Sequence, residues 1–130
     1  MEPDDFLTVE EGQPVYNIRH RAFYFSKDVI KFISEQQYEK IYSSLFEQLI
    51  RSATSIGANL VEGAAGSSTK DFIKFYVIAL KSANETKYWL YLIKETLLQN
   101  KEQTEQLINE VNEISKVIGA IIVNTKKNQQ

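Results

Sequence analysis

The 130 residues contain no cysteine, which excludes disulfide frameworks, thiolate nucleophiles and cysteine-ligated zinc. There is one histidine, His20, and no Glu-x-x-His pair, so the di-iron sites that some helical bundles carry lack their ligands. Two prolines and five glycines are too few for a turn-dense sandwich or a collagen-like chain. No stretch approaches the roughly 20 apolar residues that span a bilayer. The opening Met1-Glu2-Pro3-Asp4-Asp5 has neither the charge nor the apolar run of a secretory signal. A cytoplasmic protein with no membrane partner is therefore expected. What is present, 43% hydrophobic and 25% charged residues, fits one globular domain with a single core.

The net charge of -2 is unevenly spread. Residues 1–14 carry Glu2, Asp4, Asp5, Glu10 and Glu11 with no Lys or Arg, a charge of -5. Residues 15–33 carry +3, from Arg19, Arg21, Lys27 and Lys31 against Asp28, and the body without its acidic arm carries +3. That is mildly basic, well short of a dedicated nucleic-acid-coating protein. With Pro3, Gly12 and Pro14 and little to bury, residues 1–15 read as a flexible acidic leader. Its role is either solubility or competition with nucleic acid for a basic surface.

From residue 16 to 126 the apolar residues recur at spacings of 3 and 4, the pattern of helices burying one face. A first helix is expected over 16–33, with Ile18, Ala22, Phe25, Val29 and Phe32 on one seam. Ser34-Glu35-Gln36-Gln37 reads as a capping box opening a second helix, which carries Ile41, Leu45, Leu49, Ala53, Ile56 and Leu60 and ends near Gly63. Ser68 with Asp71 caps a third helix running to about Leu98. A fourth, after Asn100, reads through Leu107, Val111, Ile114, Ile118 and Ile121, with 127–130 frayed. Short connections favour antiparallel neighbours, so the expected fold is all-α, an antiparallel up-down-up-down four-helix bundle.

The third helix carries more apolar surface than one bundle core requires. Phe72, Tyr76, Ala79, Ala83, Leu90 and Leu97 form one seam, and Phe75, Ile78, Trp89 and Leu92 a second. Ile73, Leu80, Tyr91 and Leu98 fall on the other flank, leaving Lys70, Lys74 and Lys81 as the polar strip. Either the other helices or the loop cover this surplus, or another subunit does; an oligomer is the expectation. On the second helix Gln48, Ser52, Ser55, Asn59 and Glu62 form a polar line, with Arg51 beside it. Glu85 sits between Ile78 and Trp89 and is expected to be partly buried, pairing with Arg51 or the amide of Asn59 to fix register or subunit geometry.

The run Gln48-Leu49-Ile50-Arg51-Ser52-Ala53-Thr54-Ser55-Ile56-Gly57-Ala58-Asn59-Leu60-Val61-Glu62-Gly63 resembles the central signature of the bacterial four-helix-bundle family of 23S rRNA intervening-sequence proteins. Ser68 and Asp71-Phe72 fill the following serine and acidic-Phe positions, and Phe75, Ala79, Ser82 and Glu85 continue the match. The resemblance covers residues from about 16 to 124, with its specific part at 48–89. It implies a homopentamer. It also implies kinship with accessory proteins of diversity-generating retroelements, in which a pentamer binds a reverse transcriptase and nucleic acid. Three departures stand out: Gly66 where the family commonly has Arg, Lys81 where it commonly has Gly, and a slightly acidic chain where the retroelement relatives are basic.

No catalytic, cofactor or metal site is legible. A Ser-His-acid triad would have to use His20, without a Gly-x-Ser-x-Gly elbow. Gly63-Ala64-Ala65-Gly66-Ser67-Ser68-Thr69-Lys70 lacks the Gly-Lys-Ser/Thr ending of a phosphate loop and the strand before it. The interaction candidates are basic: Arg19, His20, Lys27 and Lys31 on the first helix, and Lys70, Lys74 and Lys81 on the third. Gln48, Arg51, Ser55, Asn59, Glu62 and Glu85 form the candidate structural network. Taken with the resemblance, these residues point to a non-enzymatic homo-oligomeric scaffold without cofactor, whose partner is RNA, DNA or a nucleic-acid enzyme. The alternative is a nucleic-acid-binding accessory of a retroelement reverse transcriptase.

Overall fold

The computed structural model describes residues 2–8, 17–97 and 100–129. Its elements are a short helix α1 (Pro3–Leu7) and four long ones: α2 (Ile18–Ser34), α3 (Ser43–Ala65), α4 (Thr69–Thr96) and α5 (Lys101–Asn128). A 3-10 turn (Lys40–Tyr42) leads into α3, and the described residues contain no strand. The expected start of the first helix at residue 16 and the end of the third near Leu98 lie outside the described residues.

The long helices pack in sequence order and alternate in direction. Across α3 and α4, Ser52 meets Thr86, Ser55 meets Ser82 and Gly63 meets Tyr76, so one residue number rises as the other falls. The same inversion pairs Ser26 with Ala53 and Ala22 with Gly57 between α2 and α3. Lys94 meets Glu105 between α4 and α5, and Arg21 meets Glu110 as α5 closes back on α2. The result is the up-down-up-down bundle. The Arg21 guanidinium grips both carboxylate oxygens of Glu110 at 2.8 Å, a fork that raises its already high pKa.

The core takes one stripe from each helix. All five seam residues of α2 are buried, joined by Leu49, Ala53, Ile56 and Leu60 of α3, Tyr76, Ala79, Ala83 and Leu90 of α4, and Val111, Ile114 and Ile118 of α5. Small residues set the α2–α3 crossing, where a Cβ at Gly57 would lie 3.6 Å from that of Ala22.

Helix ends depart from expectation in three places. Ser34 does not open the second helix: it is the last residue of α2, with its hydroxyl donating to the Lys31 carbonyl at 2.7 Å. The chain then leaves the helix, Tyr38 stacks on Phe46 at 4.2 Å, and Gln36 accepts from the Asn100 side chain. Because α3 starts only at Ser43, Ile41 falls on the turn and is 77% exposed, while Phe46 takes the core position. Gly63 lies inside α3, which ends at Ala65, and α5 stays helical through Lys126 and Lys127 to Asn128. The Ser68 cap is as expected, accepting from the Asp71 amide at 3.1 Å.

Part of the expected leader is helical. Residues 3–7 form α1, with Leu7 buried against the bundle and Phe6 edge-on to Phe23. Met1 and residues 9–15 of the expected leader lie outside the described residues.

Candidate functional site

Five of the seven basic candidates stand in solvent. Lys27 and Lys31 lie on the outer face of α2, and Lys70, Lys74 and Lys81 on the outer face of α4, opposite its buried seam. Lys74 and Lys27 lie beside the rings of Phe75 and Tyr24, at 5.5 and 5.9 Å from the centroids.

Arg19 and His20 are the exceptions. His20 is 0% exposed and Arg19 only 7%, so neither presents a surface cation. Arg19 Nε donates to the Leu7 carbonyl at 2.9 Å, and its side chain also bonds Tyr76. Burial pushes the Tyr76 hydroxyl above its ordinary pKa, a rise that the bond to Arg19 moderates. The Nδ1 of His20 donates to Asn17 Oδ1 at 2.7 Å, and that oxygen also accepts from the Arg19 and His20 amides as the cap of α2. On the other side of the ring, Nε2 faces the Thr8 hydroxyl at 3.3 Å and the Asp4 carboxylate at 3.8 Å. Helical periodicity sets His20 in line with Lys27 and Lys31; it carries no information on the segment that roofs it.

The polar line on α3 divides into a bonded part and an open part. Ser55 Oγ and Ser82 Oγ are 2.9 Å apart, and the Asn59 amide donates to the carbonyl and the hydroxyl of Ser55. One turn away the fully buried Thr86 donates to Ser52 Oγ at 3.0 Å. Ser82 and Thr86 therefore complete the network from the α4 side, and their own spacing of 4 on one helix face was the available signal. Arg51, Glu62 and Glu85 are exposed and Gln48 half-buried, and their side chains make no hydrogen bond or ion pair among the described residues. The expected burial of Glu85 and its pairing with Arg51 or Asn59 are not found. The seam that holds Glu85 is a flank of α4, half open to solvent, because the bundle core uses only the stripe through Tyr76, Ala83 and Leu90.

That flank carries the surplus apolar surface. Phe75, Ile78, Trp89 and Leu92 are only half-buried; elsewhere on α4, Tyr88 is 61% and Tyr91 46% exposed. The indole Nε1 of Trp89 is out of contact with water and has no hydrogen-bond partner. Among the described residues no group of three His, Cys, Asp or Glu could hold a metal ion, and no helix is long and apolar enough to cross a membrane.

Residues 16–120 match the model of the 23S rRNA-intervening sequence protein family. No curated protein matches the chain. A solved structure from Bacteroides thetaiotaomicron VPI-5482, described as a protein with unknown function from the S23 ribosomal protein family, is 35% identical. It superposes with a TM-score of 0.72, over 82% of this chain and 98% of that one. With the signature run on α3, the bundle and the family match in agreement, the chain belongs to the 23S rRNA-intervening sequence protein family.

Proposed function

We propose that the protein is a non-catalytic cytoplasmic scaffold that works as a homo-oligomer and holds nucleic-acid backbone on its outward lysines. The carrying observation is α4, buried on one side only, with Ile78, Trp89 and Leu92 half open and Tyr88 and Tyr91 in solvent. Arg51, Glu62 and Glu85, unpaired beside this flank, supply groups for contacts between copies. A ring of five is the assembly that the family resemblance implies.

Assembly repeats every lysine. Lys70, Lys74 and Lys81 share one face of α4, and Lys27 and Lys31 one face of α2, so a ring multiplies a weakly basic stripe into a field that attracts phosphate. Contacts of this kind are salt-sensitive and indifferent to base sequence.

Light scattering on purified protein tests the reading, with a mass close to five times 15.0 kDa expected. A mass of one chain at all concentrations overturns it. Binding of generic RNA at low salt that falls steeply with added salt is the second expected result, and its absence removes the nucleic-acid half.

A further inference from the structure

The acidic helix α1 lies on the start of the basic face of α2. His20, Lys27 and Lys31, spaced 7 and 4, point outward along α2, and the first of them is roofed by α1 while the other two are exposed. Within Glu2–Leu7 there are three carboxylates, Glu2, Asp4 and Asp5, and no cation. Against them α2 holds Arg19, His20, Arg21, Lys27 and Lys31 with Asp28 alone in opposition. Asp4 accepts from the Tyr24 hydroxyl at 3.3 Å and faces His20, while Arg19 is tied to the Leu7 carbonyl.

We propose that α1 is a built-in competitor for nucleic-acid backbone, and that phosphodiesters engage the whole of the α2 face by displacing it. The inference rests on the nucleic-acid reading above and adds where the backbone binds and what regulates it. Three features carry it. A helix of five residues does not persist in water by itself, so α1 is ordered only by its seat and belongs to the easily opened part of the molecule. The Asp4 carboxylate occupies the position that a phosphate oxygen would take against His20. Once α1 leaves, Arg19 Nε loses the Leu7 carbonyl and can donate to a phosphate oxygen, a charged acceptor.

A binding face that is covered most of the time shows an affinity reduced by the fraction of molecules in which it is open. A chain lacking residues 2–8 is therefore expected to bind a short fluorescent RNA about 10-fold more tightly than the full chain at about 50 mM salt. Adding Lys27→Ala and Lys31→Ala to the shortened chain is expected to abolish that gain. On the full chain, amide hydrogen exchange supplies a readout that needs no deletion: RNA is expected to speed exchange at the Leu7 and Thr8 amides. A variant with Glu2→Gln, Asp4→Asn and Asp5→Asn, which keeps the apolar seat of Leu7, is expected to bind more tightly as well. Equal RNA affinity with and without residues 2–8, and unchanged exchange in α1, overturn the competitor while the nucleic-acid reading stands. No RNA binding by any of these proteins at low salt overturns both.

Discussion

Gly63 and Gly119 are both helical glycines, yet their surroundings give them opposite predicted responses to the same substitution. A Cβ at Gly63 would come within 2.9 Å of the Tyr76 ring and 3.1 Å of the Phe75 Cβ. Tyr76 cannot swing aside easily, because its ring stacks on Phe72 at 4.0 Å and its side chain is bonded to Arg19. Gly63→Ala is expected to destabilise the fold by about 1–3 kcal/mol, the usual cost of overpacking. At Gly119 nothing lies within 4 Å of the added carbon, so Gly119→Ala is expected to stabilise by about 1 kcal/mol through helix propensity alone. Urea titrations of the two variants at one protein concentration check both signs. The sequence makes Gly63 look like a helix terminator, since a glycine followed by small residues commonly ends a helix. What it cannot display is Tyr76 arriving from the next helix to occupy the missing side chain. The same holds for His20: its position on the outer face of α2 is periodic and legible, its burial under α1 is tertiary and is not.

At the level of elements, the seams of α2, α4 and α5 were legible because burial on one face imposes the spacing of 3 and 4 directly on the sequence. The start of α3 was not. Ser34-Glu35-Gln36-Gln37 satisfies a local capping pattern, but local preference lost to the Tyr38–Phe46 stack and the bond from Asn100 to Gln36. The pairing of α3 with α4 was partly legible through Ser52, Ser55 and Asn59. Its bonds explain why those positions are small and polar: they let the two helices approach closely and still satisfy every hydroxyl. Thr86→Val keeps the shape of a fully buried side chain and removes the donor to Ser52. It is expected to cost about 1 kcal/mol, and Ser52→Ala a similar amount. The double variant is expected to cost less than the two single changes added together, because both singles lose the same Ser52–Thr86 bond, while each hydroxyl left behind keeps a carbonyl of its own helix, Leu49 for Ser52 and Ser82 for Thr86. Additive losses in a double-mutant cycle would show that the two residues act independently.

For the whole molecule, the question is which outer face joins one copy to another. Four helices bury one stripe each, and the exposed residues of α2, α3 and α5 are mostly polar, Ile30 and Val123 apart. In contrast, α4 has lysines at its first half, tyrosines at its second, and the flank of Ile78, Trp89 and Leu92 beside the open Arg51, Glu62 and Glu85. Glu85 follows Ile78 by 7 residues and precedes Trp89 by 4, so the three lie on one line of the helix. A carboxylate at residue 78 is tolerable on a half-open flank of a single bundle. Sealed between two copies it would be a buried charge next to Glu85, without a partner. Ile78→Glu is therefore expected to reduce the light-scattering mass to 15.0 kDa while the helical circular-dichroism spectrum is retained. Val123→Glu places the same charge on α5, at a residue 50% exposed, and is expected to leave the mass unchanged. If Ile78→Glu assembles as fully as the unaltered chain, the α3–α4 flank is not the contact between copies. The half-open tryptophan then needs another explanation. The paired variants keep that outcome distinct from general unfolding, which would remove the helical signal along with the assembly.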